Sequence, residues 1–228
     1  AAVAPFPNIS VAKLQTKYPQ GSEKQLIRVL TGREAPRGGL PMDVGVAINN
    51  VGTALAVAEA VCDGKPLVER AVTVTGSAIV EPKNVKVRIG ASFKDVIDFC
   101  GGFSAAPLKI LMGGPMIGIA QYTTDVPVIK GTSGIVALSA DSVAVVESHT
   151  CIRCGQCVNA CPMFLLPSAL GILCERQKFE EAKAMGLMDC VECGCCTYVC
   201  PAGRPMVHMF KFGKMELFKL AQKKKEAK

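Results

Sequence analysis

The chain carries the same cysteine phrase twice, and this constrains its fold more than any other feature. The first copy is Cys151-x2-Cys154-x2-Cys157-x3-Cys161-Pro162, and the second is Cys190-x2-Cys193-x2-Cys196-x3-Cys200-Pro201. Thiols three residues apart lie on one tight turn of backbone and can take three corners of a cube. The fourth corner needs a cysteine from elsewhere. The spacing is that of bacterial two-cluster ferredoxins, in which the last cysteine of each run ligates the other cluster. On this reading Cys151, Cys154, Cys157 and Cys200 hold one [4Fe–4S] cluster, and Cys190, Cys193, Cys196 and Cys161 hold the other. The proline after each last cysteine blocks helix continuation and fixes the turn.

Two plainer readings fit less well. Zinc ribbons pair Cys-x2-Cys units but do not repeat a four-cysteine run ending in proline. Disulfides need an oxidising compartment, and Ala1-Ala2-Val3-Ala4-Pro5 has neither the basic start nor the apolar run of a secretory signal. Four cysteines fall outside the scheme. Cys195 is expected to be a spare thiol beside the second cluster. Cys62, Cys100 and Cys174 sit in apolar stretches and are expected to pack as small buried hydrophobes.

The chain has 228 residues, of which half are hydrophobic, so two small domains or one large one can form. No uncharged apolar run reaches the length of a membrane span. Tryptophan is absent and aromatics are few, which argues against aromatic stacking platforms for nucleic acid. The net charge of +7 is unevenly placed: the segment from Gly203 onward has eight Lys/Arg against two Glu, so nearly all of the excess lies there. A basic tail suits a membrane surface or an acidic partner.

Residues 1–66 read as glycine-rich loops with two helices, Glu23–Leu30 ending at Gly32, and Thr53–Val61 preceded by Asn49 and Asn50 and ended by Asp63-Gly64. Residues 67–147 change period. Val72 and Val74 alternate with threonines, and Val85, Val87 and Ile89 alternate with Lys86 and Arg88, predicting two half-buried strands joined through Glu81–Asn84. A short helix opens at Ser92 with Val96 and Phe99 at helical spacing. Further strands are predicted at Leu108–Met112, Ser133–Leu138 and Val143–Val146. Strand, strand, helix, strand is the order of a β-grasp. Residues 148–210 hold the cysteine runs, with a helical hairpin, Ser168–Cys174 and Phe179–Met185, between them. Met206–Lys228 is an amphipathic helix candidate that Gly213 weakens. Residues 211–228 form a basic tail, and Met206, Met209, Phe210, Leu217, Phe218 and Leu220 give the helix its apolar surface.

Several phrases together resemble the C subunit of the Rnf electron transport complex: Lys17-Tyr18-Pro19-Gln20-Gly21-Ser22-Glu23-Lys24-Gln25-Leu26, Thr31-Gly32-Arg33-Glu34, Gly38-Gly39-Leu40-Pro41, Gly113-Gly114-Pro115-Met116-Ile117-Gly118 and the two cysteine runs. The resemblance covers essentially the whole chain. It implies an α+β architecture in three parts. These are the remnant of a flavin-binding α/β domain, a ubiquitin-like β-grasp of the SLBB type, and a helical ferredoxin-type domain with two [4Fe–4S] clusters. It also implies a peripheral subunit on the cytoplasmic face of a bacterial membrane, carrying FMN and exchanging electrons with NAD(H). Its partners would be integral membrane and iron–sulfur subunits, with ferredoxin engaged indirectly, in a complex that moves sodium or protons.

The flavin-binding subunit of respiratory complex I is a more distant relative. Its Ile-Asn-Asn-Val-x-Thr phrase matches Ile48-Asn49-Asn50-Val51-Gly52-Thr53, which implies flavin contacts from Asn49, Asn50 and Thr53 at a helix start, where free amides attract anions. Its Tyr-x2-Gly-Glu-Glu-Thr phrase matches Tyr18-Pro19-Gln20-Gly21-Ser22-Glu23-Lys24, with Ser22 in place of a glutamate. Tyr18, Gly21 and Glu23 are therefore the candidates there. For Asn49 and Asn50 the residues alone equally support plain helix capping. The glycine-rich flavin loop of the family lies upstream of the Tyr18 phrase and is not in this sequence, so the chain reads as a C-terminal portion whose flavin site is incomplete and whose NADH oxidation alone is expected to be absent.

Three functions follow from these residues. The first is an electron-transfer subunit of a membrane-bound ferredoxin:NAD oxidoreductase. The second is a soluble flavin and iron–sulfur reductase of the cobalamin-reducing kind. The third is a scaffold in which clusters merely staple a small domain. The motifs favour the first.

Overall fold

The computed structural model describes residues 6–143 and 147–226, and the chain divides into two compact units. One comprises Asn49–Arg153 and Thr197–Pro205; the other comprises Ala1–Ile48, Cys154–Cys196 and Met206–Lys228.

The first of these units is built on a five-stranded sheet. Its strands are β1 (Glu69–Thr75), β2 (Lys83–Arg88), β3 (Pro107–Met112), β4 (Ile119–Gln121) and β5 (Gly134–Ser139), in spatial order β2-β1-β5-β3-β4. β1 runs parallel to β5 at the centre, while β1–β2, β3–β5 and β3–β4 are antiparallel. A parallel central pair with hairpin neighbours on both sides and a helix in the connection is the β-grasp topology expected from the alternation. Val72 and Val74 of β1 and Val85 and Val87 of β2 point inward, and Ala71, Thr73 and Lys86 point outward, which is the period of two that placed the strands. Helix α3 (Phe93–Phe99) starts where the Ser92 hydroxyl accepts the Asp95 amide, and it covers the sheet with Phe93, Val96 and Ile97. Cys100 is fully buried beside them.

Three features differ from expectation. Phe99 is 70% exposed, because the inward stripe of α3 runs through Phe93, Val96 and Ile97; the Lys83 ammonium instead sits 5.0 Å from the centre of its ring. Lys83 and Asn84 belong to β2 rather than to its connection. Strand β4 has only three residues and too little alternation to read from sequence. The strand expected at Val143–Val146 falls on 144–146, outside the described residues, and is preceded by a 3-10 turn at Ala140–Ser142. Gly76 has a clear reason to be glycine: its φ is +122°, and a Cβ there would lie 2.0 Å from the Ala137 carbonyl oxygen of β5.

Helix α2 (Val51–Cys62) also belongs to this unit. It begins at Asn50, whose side chain accepts the Gly52 amide at 2.9 Å. Its sequence is apolar, yet none of its residues is buried. Cys62 is therefore exposed, contrary to the expectation of a buried thiol: helix propensity and the cap form the helix without any packed face around it.

The other unit is helical. It contains α1 (Glu23–Thr31), α4 (Gln156–Asn159), α5 (Pro167–Glu175), α6 (Phe179–Ala184) and α8 (Met206–Glu226); the short α7 (Cys195–Tyr198) straddles the division. α1 ends at Gly32 in the left-handed conformation, its amide closing on Arg28. α5 and α6 form the expected hairpin, and Gly186 follows with φ +93°. α8 packs on both through Met206, Val207, Phe210 and Leu217, with Phe179 and Phe212 meeting edge to face at 5.7 Å. Phe218 and Leu220 lie on its exposed side instead. Gly213 does not interrupt α8. A Cβ there would lie 2.8 Å from the Cys174 sulfur and 3.0 Å from Leu187, so glycine is what lets the helices approach and buries Cys174. Among the described residues no helix is long and apolar enough to cross a membrane.

Candidate iron–sulfur and flavin sites

The two cysteine runs adopt one backbone shape. The residue before the second cysteine is left-handed in each, Arg153 at φ +57° and Glu192 at +56°, and the glycine after it follows, Gly155 at +77° and Gly194 at +85°. The turns α4 and α7 then occupy equivalent positions. Farther on, the Phe164 amide returns to the Cys161 carbonyl and the Gly203 amide to that of Cys200, again with positive φ at Phe164 and Gly203. Left-handed residues alternating with ordinary ones turn successive amides to one side and form a concavity that attracts negative charge. Non-glycine residues held in the left-handed region at the same place in both runs are uncommon, so the two runs share one specific backbone path.

In the helical unit, a pocket is walled by Cys161, Cys190, Cys193 and Cys196 together with apolar Leu170, Val207 and Phe210. The final cysteine of the first run thus joins three cysteines of the second around one space. Among the described residues no three His, Cys, Asp or Glu side chains converge closely enough to hold a single metal ion. A ring of thiols around a volume suits a polynuclear cube better than a point-like ion. Burial pushes the Cys190 thiol above its ordinary pKa, against the pull of the Glu192 amide and of Lys214. Burial and a hydrogen bond with Cys193 push Cys195 up to about 11. Such thiols stay neutral unless a metal supplies the charge that makes thiolates favourable. The first run's Cys157 is buried, Cys151 and Cys200 are half-buried, and Cys154 is exposed.

Three side chains of the N-terminal segment bond to the loops around this cavity. The Tyr18 hydroxyl donates to the Cys193 carbonyl at 2.6 Å. Gln25 donates to the Pro162 carbonyl at 3.0 Å, next to Cys161, and Arg37 pairs with Asp189 at 2.7 Å, next to Cys190. From α8, Lys214 donates to the Cys190 carbonyl at 2.6 Å and pairs with Glu192 at 2.7 Å. Gln25, Arg37, Glu192 and Lys214 carry no signal of these contacts in the sequence. Their roles depend on which loops the fold brings together, and only the repeat of Arg153 and Glu192 at one offset hints at them.

The flavin candidates lie open at the surface. Tyr18 is half exposed, Gly21 and Glu23 are exposed, and nothing stands within 4 Å of a Cβ built on Gly21. Those three belong to the helical unit; Asn49, Asn50 and Thr53 belong to the sheet unit. Asn50 is occupied in capping α2, which leaves its other side-chain positions and the remaining free amides of that turn to meet a ligand.

Family models match along the chain in the same order: the Nuo51 FMN-binding domain over residues 1–59, the SLBB domain over 71–120, and a 4Fe-4S dicluster domain over 150–204. The chain is 52% identical over 209 residues to the C subunit of the proton-translocating ferredoxin:NAD(+) oxidoreductase complex of Clostridium ljungdahlii, covering 91% of this chain and 46% of that protein. It is 46% identical over 217 residues to the C subunit of the Na(+)-translocating ferredoxin:NAD(+) oxidoreductase complex of Acetobacterium woodii, covering 95% and 48%. It is 41% identical over 228 residues to the C subunit of the ion-translocating oxidoreductase complex of Citrobacter koseri, covering 100% and 32%. The chain spans half or less of the length of these relatives.

Proposed function

Because this chain belongs to the family of C subunits of Rnf-type ion-translocating oxidoreductase complexes, we propose that it carries electrons between NAD(H) and the other subunits of such a complex by way of FMN and two [4Fe–4S] clusters. Cys161, Cys190, Cys193 and Cys196 hold one cluster, and Cys151, Cys154, Cys157 and Cys200 hold the other. The observation that carries this reading is the cavity in which Cys161 meets the three cysteines of the second run. A [4Fe–4S] cluster, once bound, takes up and gives back single electrons.

The protein's part is to hold and insulate. The four thiolates would bond iron, and the Glu192 amide donates to the Cys190 sulfur at 3.4 Å. Leu170, Val207 and Phe210 keep water from one side of the cavity, so charges inside are felt strongly. Tyr18, Gln25 and Arg37 fix the loops to the segment that matches the flavin-binding family model. Tyr18, Gly21 and Glu23, and separately Asn49, Asn50 and Thr53, are the residues that would hold flavin. Asn49 and Asn50 sit at the start of α2, where the helix favours a phosphate. The subunit is peripheral, on the cytoplasmic face of the membrane, and its partners are the integral membrane and iron–sulfur subunits. The relatives' names, all of them subunits of ion-translocating complexes, favour this over a soluble cobalamin-dependent reductase.

Anaerobic addition of NADH to the complex purified with its membrane subunits is expected to bleach the visible iron–sulfur absorbance and to give a reduced-cluster paramagnetic resonance signal. Clusters that stay oxidised with NADH yet reduce with dithionite would overturn the assignment.

A further inference from the structure

We propose that Lys214, Glu192 and Tyr18 are positioning residues that set the reduction potential of the cluster held by Cys161, Cys190, Cys193 and Cys196, separately from that of the other cluster. The proposal rests on the cluster assignment above.

The two cysteine loops share their backbone but differ in charge at the position before the second cysteine. Arg153 stands there in the first run and Glu192 in the second, both left-handed. A carboxylate at that place opposes reduction, because reduction adds a negative charge to the cluster beside it. The fold answers this charge from another element. α8 approaches closely at Gly213, and the next residue, Lys214, reaches the loop with its side chain only 14% exposed. Its ammonium lies 2.7 Å from the Glu192 carboxylate and 2.6 Å from the Cys190 carbonyl. Glu192 in turn directs its own amide to the Cys190 sulfur. The Tyr18 hydroxyl presents its hydrogen to the Cys193 carbonyl. Two successive ligand carbonyls are thus each held by a donor from outside the loop, one charged and one neutral. A partly buried ion pair is screened little by solvent, so each member acts on the cluster with its own sign.

The consequence is a pair of opposite shifts. Lys214→Met leaves the Glu192 carboxylate uncompensated and is expected to lower the midpoint potential of this cluster. Glu192→Gln leaves the ammonium uncompensated and is expected to raise it. Lys214→Arg keeps the cation and should stay near the parent value, and Tyr18→Phe, losing one neutral donor, should lower the midpoint by less than Lys214→Met. A loop-stabilising role alone would not give opposite signs.

The test is a redox titration of the full chain, followed by paramagnetic resonance, with this cluster's signal identified as the one missing from Cys193→Ser. The expected result is opposite shifts for Lys214→Met and Glu192→Gln, with the other cluster's midpoint unchanged. Shifts of one sign, no shift, or equal shifts in both clusters would overturn the proposal while leaving the cluster assignment standing. If Lys214→Met fails to load its cluster, Glu192→Gln and Tyr18→Phe decide alone, and the first must rise while the second falls. A parent protein that binds no iron would instead overturn the cluster assignment, and this proposal with it.

Discussion

Replacing Cys161 by serine is expected to remove the cluster of the second cysteine run, although Cys161 lies in the first. In the cavity wall Cys161 stands with Cys190, Cys193 and Cys196. A hydroxyl is a poorer ligand for iron–sulfur clusters than a thiolate. Iron should fall by about half, from roughly eight atoms per chain to roughly four, given four in each cluster. The remaining spectrum should match that of Cys193→Ser and differ from that of Cys154→Ser. A Cys161→Ser spectrum that matches Cys154→Ser instead would show that each run closes its own cluster.

Stripping both clusters is the second large effect. The turns α4 and α7 have four residues each, far below the length at which a helix stands alone in water. The left-handed Arg153 and Glu192 add backbone strain that the loops do not offset by themselves. Metal binding in small sites of this kind supplies folding free energy, on the order of 10 kcal/mol for structural zinc. After iron is chelated, hydrogen exchange at the amides of Val158, Asn159, Cys161 and Cys200, which close these turns, should accelerate toward the unfolded rate. The amides of the β-grasp should keep their protection. Val72, Val74, Phe93, Ile97, Val128 and Ile135 form a core with no cysteine ligand in it. Equal protection of the cysteine turns with and without iron would contradict this.

What the sequence made legible follows the reach of each signal. Val72 with Val74 and Val85 with Val87 gave the first hairpin because period two is written locally, and Ser92 and Asn50 marked helix starts because a cap needs only its own turn. The cysteine spacing gave the cluster cofactors because the loop that holds them is also local. Features that depend on a distant neighbour were not legible. Gly213 reads as a flaw in a helix until Cys174 is seen against it. Cys62 reads as buried because its surroundings in sequence are apolar, whereas α2 has no buried face. Lys214 reads as one lysine in a basic tail, yet it sits beside Cys190 and Glu192. Charge counted along the chain says nothing about which cation a helix carries inward.

On the proposed function, two polynuclear clusters, not single ions or disulfides, occupy the cysteine runs. Iron and acid-labile sulfide analysis of the anaerobically purified chain, with zinc measured in the same sample, tests it most directly. About eight iron and about eight sulfide per chain and negligible zinc are expected. Two zinc ions per chain without sulfide, or cysteines recovered as disulfides, would contradict it.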